Sequence, residues 1–410
     1  MKILHIGTEI YGGAGLGMYR LHRDLQSKGV ESKVLCLNRG EENDESVYGY
    51  LDDLRVGGRY RRNIVTAILN RLHIYSSPYY RFSRMVGQLH NCGMVSSPYS
   101  RFDLANLDLV NEADIVHLHW VANFIDYPSF FKNVHKPIVW TLRDENPALG
   151  FWHFRHDKPK QLPVGVAKAD EILSCLKAGY IRKAKSLVAV SLSNDEYAFF
   201  AGSLSFKGHK HYVIPNSIDG NVFYRHGREK IRNEYNISPD AVVIIFVAQW
   251  LSEQRKGLTD LMYAMKALDR PDIVLICIGG GESPVSMLPN RIIKTGRVTD
   301  VERLSSLFSA ADYFVSPSYA ETFGKTLTEA LACGIPVVSY PNAGAKDILF
   351  DRRMGILCKD FTVDSLVVSM KEALDTKYDP EIIRKNVLSH FSRERVAKSY
   401  IDLYDKLLNG

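Results

Sequence analysis

Short continuous apolar runs alternate with longer helical patterns along almost the whole chain. Residues 2–7 (KILHIG), 32–37 (SKVLCL), 114–119 (DIVHLH), 137–142 (PIVWTL) and 187–191 (LVAVS) predict buried strands. A second series occupies 242–248 (VVIIFVA), 272–279 (DIVLICIG), 291–296 (RIIKTG), 312–318 (DYFVSPS) and 335–340 (IPVVSY). Uninterrupted apolar strands separated by helices predict parallel sheets covered on both faces. Two such series predict an α/β chain of two Rossmann-like, doubly wound domains. Its 410 residues also exceed what one core usually holds.

The seam is expected between FFAGSLSFKGHK (199–210) and HYVIPNSID (211–219), where glycines, lysines and small polar residues cluster. That makes 1–210 an N-terminal domain and 211–390 a C-terminal one. Val396, Tyr400, Leu403, Tyr404 and Leu407 fall at helical spacing. The segment 391–410 is therefore expected to be a helix, packing back on the N-terminal domain.

Composition changes this picture little: 46% hydrophobic and 24% charged residues are ordinary for a globular protein. The cysteines form no C-x-x-C pair, and most have apolar neighbours, as buried thiols of a cytosolic protein do. The first residues make too short an apolar run for a signal peptide, and no stretch is long enough to span a membrane. A cytoplasmic chain is expected, peripheral at most at the inner face of the membrane.

Charge does change the picture. Residues 54–102 hold Arg55, Arg59, Arg61, Arg62, Arg71, Arg81, Arg84 and Arg101 and no other charged residue except histidine, so the remaining chain sums to 6 − 8 = −2. Within it Ile64, Val65, Ile68, Leu69 and Leu72 share one helical face. A basic amphipathic helix suits an anionic membrane surface; its simpler reading is a helix packed on its own domain with arginines in water. SSPYYRFS (76–83) and SSPYSRFD (96–103) echo each other without an evident reason. Nothing points to nucleic acid.

In open α/β sheets, ligands bind beyond the carboxyl ends of the strands. The unusual residues gather there. Gly12-Gly13-Ala14-Gly15 follows the first strand, and glycines there admit an anion to backbone N–H groups, or simply make a tight turn. His117 and His119 end another strand, and no carboxylate or cysteine completes a zinc spacing with them, so no metal is expected. Asp144 follows PIVWTL, and Gly279-Gly280-Gly281-Glu282 follows DIVLICIG. Arg255 and Lys256 stand before a helix, where two cations can hold a diphosphate or merely form a solvated basic turn. No D-x-D occurs, so a diphosphate would be neutralised by these cations and helix ends rather than by a metal. Glu321 follows DYFVSPS and stands eight positions before Glu329 in YAETFGKTLTEALACGIPVV; on one continuous helix the two would not share a face.

These motifs resemble the retaining GT-B glycosyltransferases of glycosyltransferase family four, in its bacterial polysaccharide-assembly branch. The resemblance rests on Glu321-x7-Glu329, with IPNSID (214–219), RKG (255–257), GGGE (279–282), TGRV (295–298), ADYFVSPS (311–318), GGAG (12–15), HLHW (117–120) and WTLRDENP (140–147). It implies two domains facing across a deep cleft. It also implies hexosyl transfer from a UDP- or GDP-linked sugar to a saccharide or lipid-linked acceptor, with retention and without a metal or other cofactor.

By the same resemblance Glu321, His119, Lys256 and Arg255 do catalytic work. Gly13, Ala14, Gly280, Arg297, Val298, Phe323, Gly324, Lys325 and Glu329 bind the donor, with Glu329 on the ribose. Glu9, Arg143 and Asp144 are acceptor candidates. Two departures stand out. Ala248-Gln249 replaces the family's Gly-Arg, a charge Arg255 could supply. AGAKD (343–347) replaces Gly-Gly-x-x-Glu, with Asp347 standing in. A same-fold epimerase, a pyridoxal-phosphate phosphorylase and an inert sugar-nucleotide-binding protein are the alternatives.

Overall fold

A computed structural model of the chain describes residues 1–57, 81, 82, 85, 93–282 and 288–410. The chain divides into two compact units, Met1–Pro215 with Ala397–Gly410, and Asn216–Val396.

The first unit is built on a seven-stranded parallel sheet in the order β3-β2-β1-β4-β5-β6-β7. Its strands are β1 (Lys2–Ile6), β2 (Glu31–Cys36), β3 (Val47–Gly49), β4 (Ile115–Leu118), β5 (Ile138–Thr141), β6 (Leu187–Ser191) and β7 (Lys210–Val213). The chain runs outward from β1 to β3, then returns to the other side of β1 with β4. That reversal makes the β1/β4 edge a topological switch point, where carboxyl ends of strands diverge and leave a crevice. Side chains alternate across the sheet. Leu4, Ile6, Val116 and Leu118 join one core, so the register partners His5 and His117 share the opposite face.

The second unit has a six-stranded parallel sheet in the order β10-β9-β8-β11-β12-β13. These are β8 (Val242–Trp250), β9 (Ile273–Gly280), β10 (Arg291–Gly296), β11 (Tyr313–Ser316), β12 (Val337–Ser339) and β13 (Gly355–Leu357). Its switch point is the β8/β11 edge. Ile244, Phe246, Leu275, Cys277, Val315 and Val338 form its core with the helices Leu258–Leu268 and Val363–Asp375.

The ten expected strands are present, with ends moved by a few residues. β3, β7 and β13 are additional. β7 pairs with β6 from Val188↔Lys210 to Ser191↔Val213. The first unit therefore runs to Pro215, where a seam at 210/211 was expected. The C-terminal segment is two helices, Pro380–Phe391 and Arg393–Asn409. The first ends because the Phe391 carbonyl accepts the Ile218 N–H at 2.8 Å and Ser392 is extended. Among the described residues no helix is long and apolar enough to cross a membrane.

The amphipathic stretch 61–72 and the first SSPY lie outside the described residues, as do Arg59 and Arg84. Arg55, within them, pairs with Asp53 at 2.6 Å, so part of the basic charge is answered inside the chain.

Candidate functional site

The switch point of the second sheet carries the charged residues. After β8 the chain makes a 3-10 turn, Gln254–Lys256, and ends it at Gly257 with φ +73°. A Cβ on Gly257 would stand 2.1 Å from the Pro317 carbonyl oxygen. Only glycine lets this loop lie against the end of β11. Arg255 then spans the two loops. Its Nη1 donates to the Ala320 carbonyl at 2.6 Å, its Nη2 pairs with Glu253, and its own carbonyl accepts the Tyr319 N–H at 2.9 Å. Lys256 Nζ donates to Glu321 Oε1 at 2.5 Å. The two residues come from neighbouring strand ends, 65 positions apart.

Burial pushes the Glu321 carboxyl upward. The charges of Lys256 and Arg255, with hydrogen bonds from Lys256 and Ser318, outweigh that and hold it below its ordinary 4.5. A carboxyl with a depressed folded value adds stability above its unfolded pKa and loses it as pH falls through the folded one. Between pH 6 and 3 the unfolding midpoint of the protein should therefore fall more steeply than that of Glu321→Gln. Parallel thermal melts across this range would show otherwise if the ion pair did not hold the charge.

The loop after Glu321 turns at Gly324, with φ +86°, directly into the helix Lys325–Ala332. Glu321 thus lies in a loop and Glu329 in the helix after it, so the two acids are not on one continuous helix. Phe323 is buried against Phe391, ring centroids 5.6 Å apart. Glu329 lies within the helix and is only 5% exposed, so it is not a solvated surface acid. Asn342 and Gly344 cradle the loop from β12. Asn342 Nδ2 donates to the Ser318 carbonyl at 2.9 Å, and Gly344 N–H to the Glu321 carbonyl at 3.3 Å. Asp347 is partly buried in the helix Ala343–Ile348. Beyond β10, Arg297 is exposed and Val298 half-buried.

Sequence reasoning missed a second clasp. Asp260 Oδ2 accepts from Tyr319 at 2.5 Å and from Tyr340 at 2.7 Å. It thereby ties the helix after Lys256 to the loop before Glu321. Its members are 59 and 80 positions apart, so no local pattern announces it.

The switch point of the first sheet is closed differently from expectation. Gly12 starts the helix Gly12–Ser27 with φ +72°. A Cβ on Gly15 would stand 2.6 Å from the Glu9 carbonyl oxygen, whereas one on Gly13 would meet nothing within 4 Å. The fold needs Gly12 and Gly15, whereas Gly13 faces open space.

Burial drives His5, His117 and His119 well below 6.5, with neighbouring positive charge adding to it, so all three are neutral. Arg143 Nη2 donates to His119 Nδ1 at 3.1 Å. An arginine can only donate, so His119 carries its proton on Nε2 and gives it to His5 Nδ1 at 2.9 Å. Both ring nitrogens of His119 thus have partners within the protein.

Three histidine nitrogens within 4.8 Å of one another also suggest a metal cluster. The donor set does not fit one. His119 Nε2 holds a proton, and His117 is engaged by Tyr404 at 2.6 Å and Thr141 at 2.7 Å.

Asp144 is buried and filled as well. Its oxygens accept from Trp120 Nε1 at 2.6 Å, from Asn146 N–H at 3.1 Å and from His153 Nδ1. His153 Nε2 in turn lies 2.9 Å from Ser96 Oγ. The connectivity is that of a Ser-His-Asp triad, but Ser96 is 1% exposed and has no access to a substrate. The network fastens the segment around Ser96 to the end of β5.

Residues 227–389 match the family model described as Glycosyl transferases group 1. Among curated proteins, the alpha-galactosylglucosyldiacylglycerol synthase of Streptococcus pneumoniae is 24% identical over 72% of this chain and 78% of its own length. The chain spans about half the length of several other curated relatives it matches. Among solved structures, sucrose-phosphate synthase from Thermosynechococcus elongatus aligns over 100% of both chains, with TM-score 0.67 and 18% identity. Anabaena HepE, solved in complex with UDP and glucose, aligns over 98% of this chain and 99% of its own, with TM-score 0.62 and 17% identity. The fold is therefore GT-B, two Rossmann-like units.

Proposed function

We propose, from the match of residues 227–389 to the glycosyl transferases group 1 model, that the chain is a member of that family and transfers a hexosyl group from a nucleoside-diphosphate sugar with retention of configuration. The observation that carries this reading is the Lys256–Glu321 pair at the switch point of the second sheet, with Glu329 on the helix that follows. Cleaving the donor places negative charge on the departing diphosphate. Lys256 stands ready with an ammonium of three protons, of which the bond to Glu321 uses one. Its charge is fixed before the ligand arrives, so little reorganisation is needed at the transition state. Glu321 is left to contact the sugar, and Glu329 the ribose. Phe323, Gly324 and Lys325 offer backbone to the sugar and phosphates.

Arg255 supports this arrangement by holding two loops together. It does so whether or not it also reaches the phosphates. His119, Arg143 and Asp144 shape the end of the first sheet, and their polar atoms bond to one another and to neighbouring side chains. Glu9, Gly13 and Ala14 are the better candidates for ligand contact there.

The UDP complex of HepE makes UDP-sugars the first donors to try, with GDP-sugars next. The diacylglycerol in the name of the pneumococcal relative's product favours a lipid-linked acceptor at the inner face of the membrane, and surface polysaccharide assembly is the pathway we propose for it. A panel of UDP- and GDP-sugars should contain one that raises the melting temperature and releases its nucleoside diphosphate when an acceptor is added. If no nucleotide sugar does either, the reading fails. Conversion of the donor to an isomer without transfer would make the protein an epimerase instead.

A further inference from the structure

Of the four tryptophans Trp250 alone is exposed, and it is placed for a ligand. Residues 246 and 248 point into the core, and strict alternation would send Trp250 the same way. A register shift between Val247 and Trp250 breaks the alternation. Bulges of this kind re-aim side chains beside binding sites. Trp250 emerges 51% exposed at the carboxyl end of β8, while Trp140 and Trp152 are fully buried and Trp120 bonds to Asp144.

The indole has a prepared floor. Leu251 N–H bonds to the Gly280 carbonyl at 2.9 Å. A Cβ on Gly280 would lie 3.2 Å from Cζ3 and 3.3 Å from Cε3 of the indole, and one on Gly281 3.5 Å from Cε3. The glycines at the end of β9 thus let an aromatic ring rest on bare backbone.

We infer that the indole of Trp250 is a stacking platform for the base of the bound nucleotide. This rests on the donor-site reading given above. Along the rim the order is β9, β8, β11. The indole covers the β9 side, and Lys256 and Glu321 hold the β8/β11 side. Neighbouring strands are about 4.8 Å apart. A base one ribose away from a diphosphate at Lys256 is within reach of the β8/β9 edge. A half-exposed indole offers a planar apolar face that suits any base, so this residue would set affinity more than base identity.

Tryptophan emission during titration with UDP, GDP and inorganic pyrophosphate tests the inference. The nucleoside diphosphates should quench emission of the unaltered protein and pyrophosphate should not. Trp250→Ala and Trp250→Leu should lose the quenching and bind UDP or GDP roughly 10- to 100-fold more weakly by calorimetry. Pyrophosphate affinity should be unchanged in both, which also verifies that the loop still folds. Trp250→Phe should recover part of the loss. Equal nucleotide affinity in the unaltered protein and Trp250→Leu overturns the platform alone. Failure of the unaltered protein to bind any nucleotide overturns the donor-site reading and the platform with it.

Discussion

Lys256→Ala is expected to lower kcat/KM for sugar transfer by about two to three orders of magnitude, the scale for removing one preorganised charge stabiliser. Two effects act together. The departing diphosphate loses the cation fixed at the switch point, and Glu321, only 18% exposed in its side chain, loses its ion-pair partner. The second effect would also shift Glu321 toward protonation, because burial already pushes its carboxyl upward and Lys256 is the largest opposing influence. Activity of the variant should consequently fall off at a higher pH than that of the unaltered protein on the acid limb. Steady-state rates across pH, with saturating acceptor, separate the two contributions. A change in kcat/KM under threefold would remove Lys256 from the reaction.

Gly344→Ala should be nearly as damaging, by a different route. A Cβ there would stand 1.7 Å from the Phe323 carbonyl oxygen and 2.2 Å from its carbon, closer than any atoms pack. The loop 321–324 would have to retreat, carrying Glu321 and the turn at Gly324 with it. Misplacing reacting groups by about 1 Å can cost 10²-fold in rate, while overpacking costs about 1–3 kcal/mol of stability. The expected result is an activity loss near two orders of magnitude in a protein that still folds, with a melting temperature lowered by several degrees. Gly179→Ala is the control, since it lies within the helix Val164–Ile181 and a Cβ there meets nothing within 4 Å. It should leave activity alone and hold or raise stability. Full activity in Gly344→Ala would mean that the loop position does not matter to transfer.

Much of the second unit was legible because its signals are local. Apolar runs bounded by glycine and polar residues mark buried strands whatever their neighbours. The spacing of Glu321 and Glu329 excluded a common helical face, and the structure places a left-handed Gly324 between them. The departure AGAKD was read for its acid, Asp347. Gly344 is the tighter constraint, through its approach to Phe323, a contact between two strand ends that no local pattern contains.

The first unit was harder to read for the same reason. His119, Arg143 and Asp144 sit at strand ends, where a ligand is the ordinary expectation. His119 and Asp144 have spent their polar atoms on partners brought in by the sheet, with His5 from β1 and His153 from beyond β5, and Arg143 gives Nη2 to His119. Free and satisfied side chains look identical in a sequence.

Taken alone, the sequence determined the element types, two parallel sheets and the place of Glu321 just after a strand, because backbone preference and hydrophobic period act over a few residues. Tertiary structure alone decided that Lys256 meets Glu321, that Asp260 clasps Tyr319 and Tyr340, that Arg143 sets the His119 tautomer, and that a bulge turns Trp250 outward. Each of those depends on strand order and register. They arise from packing the whole sheet, and they join residues with no neighbourhood in the chain.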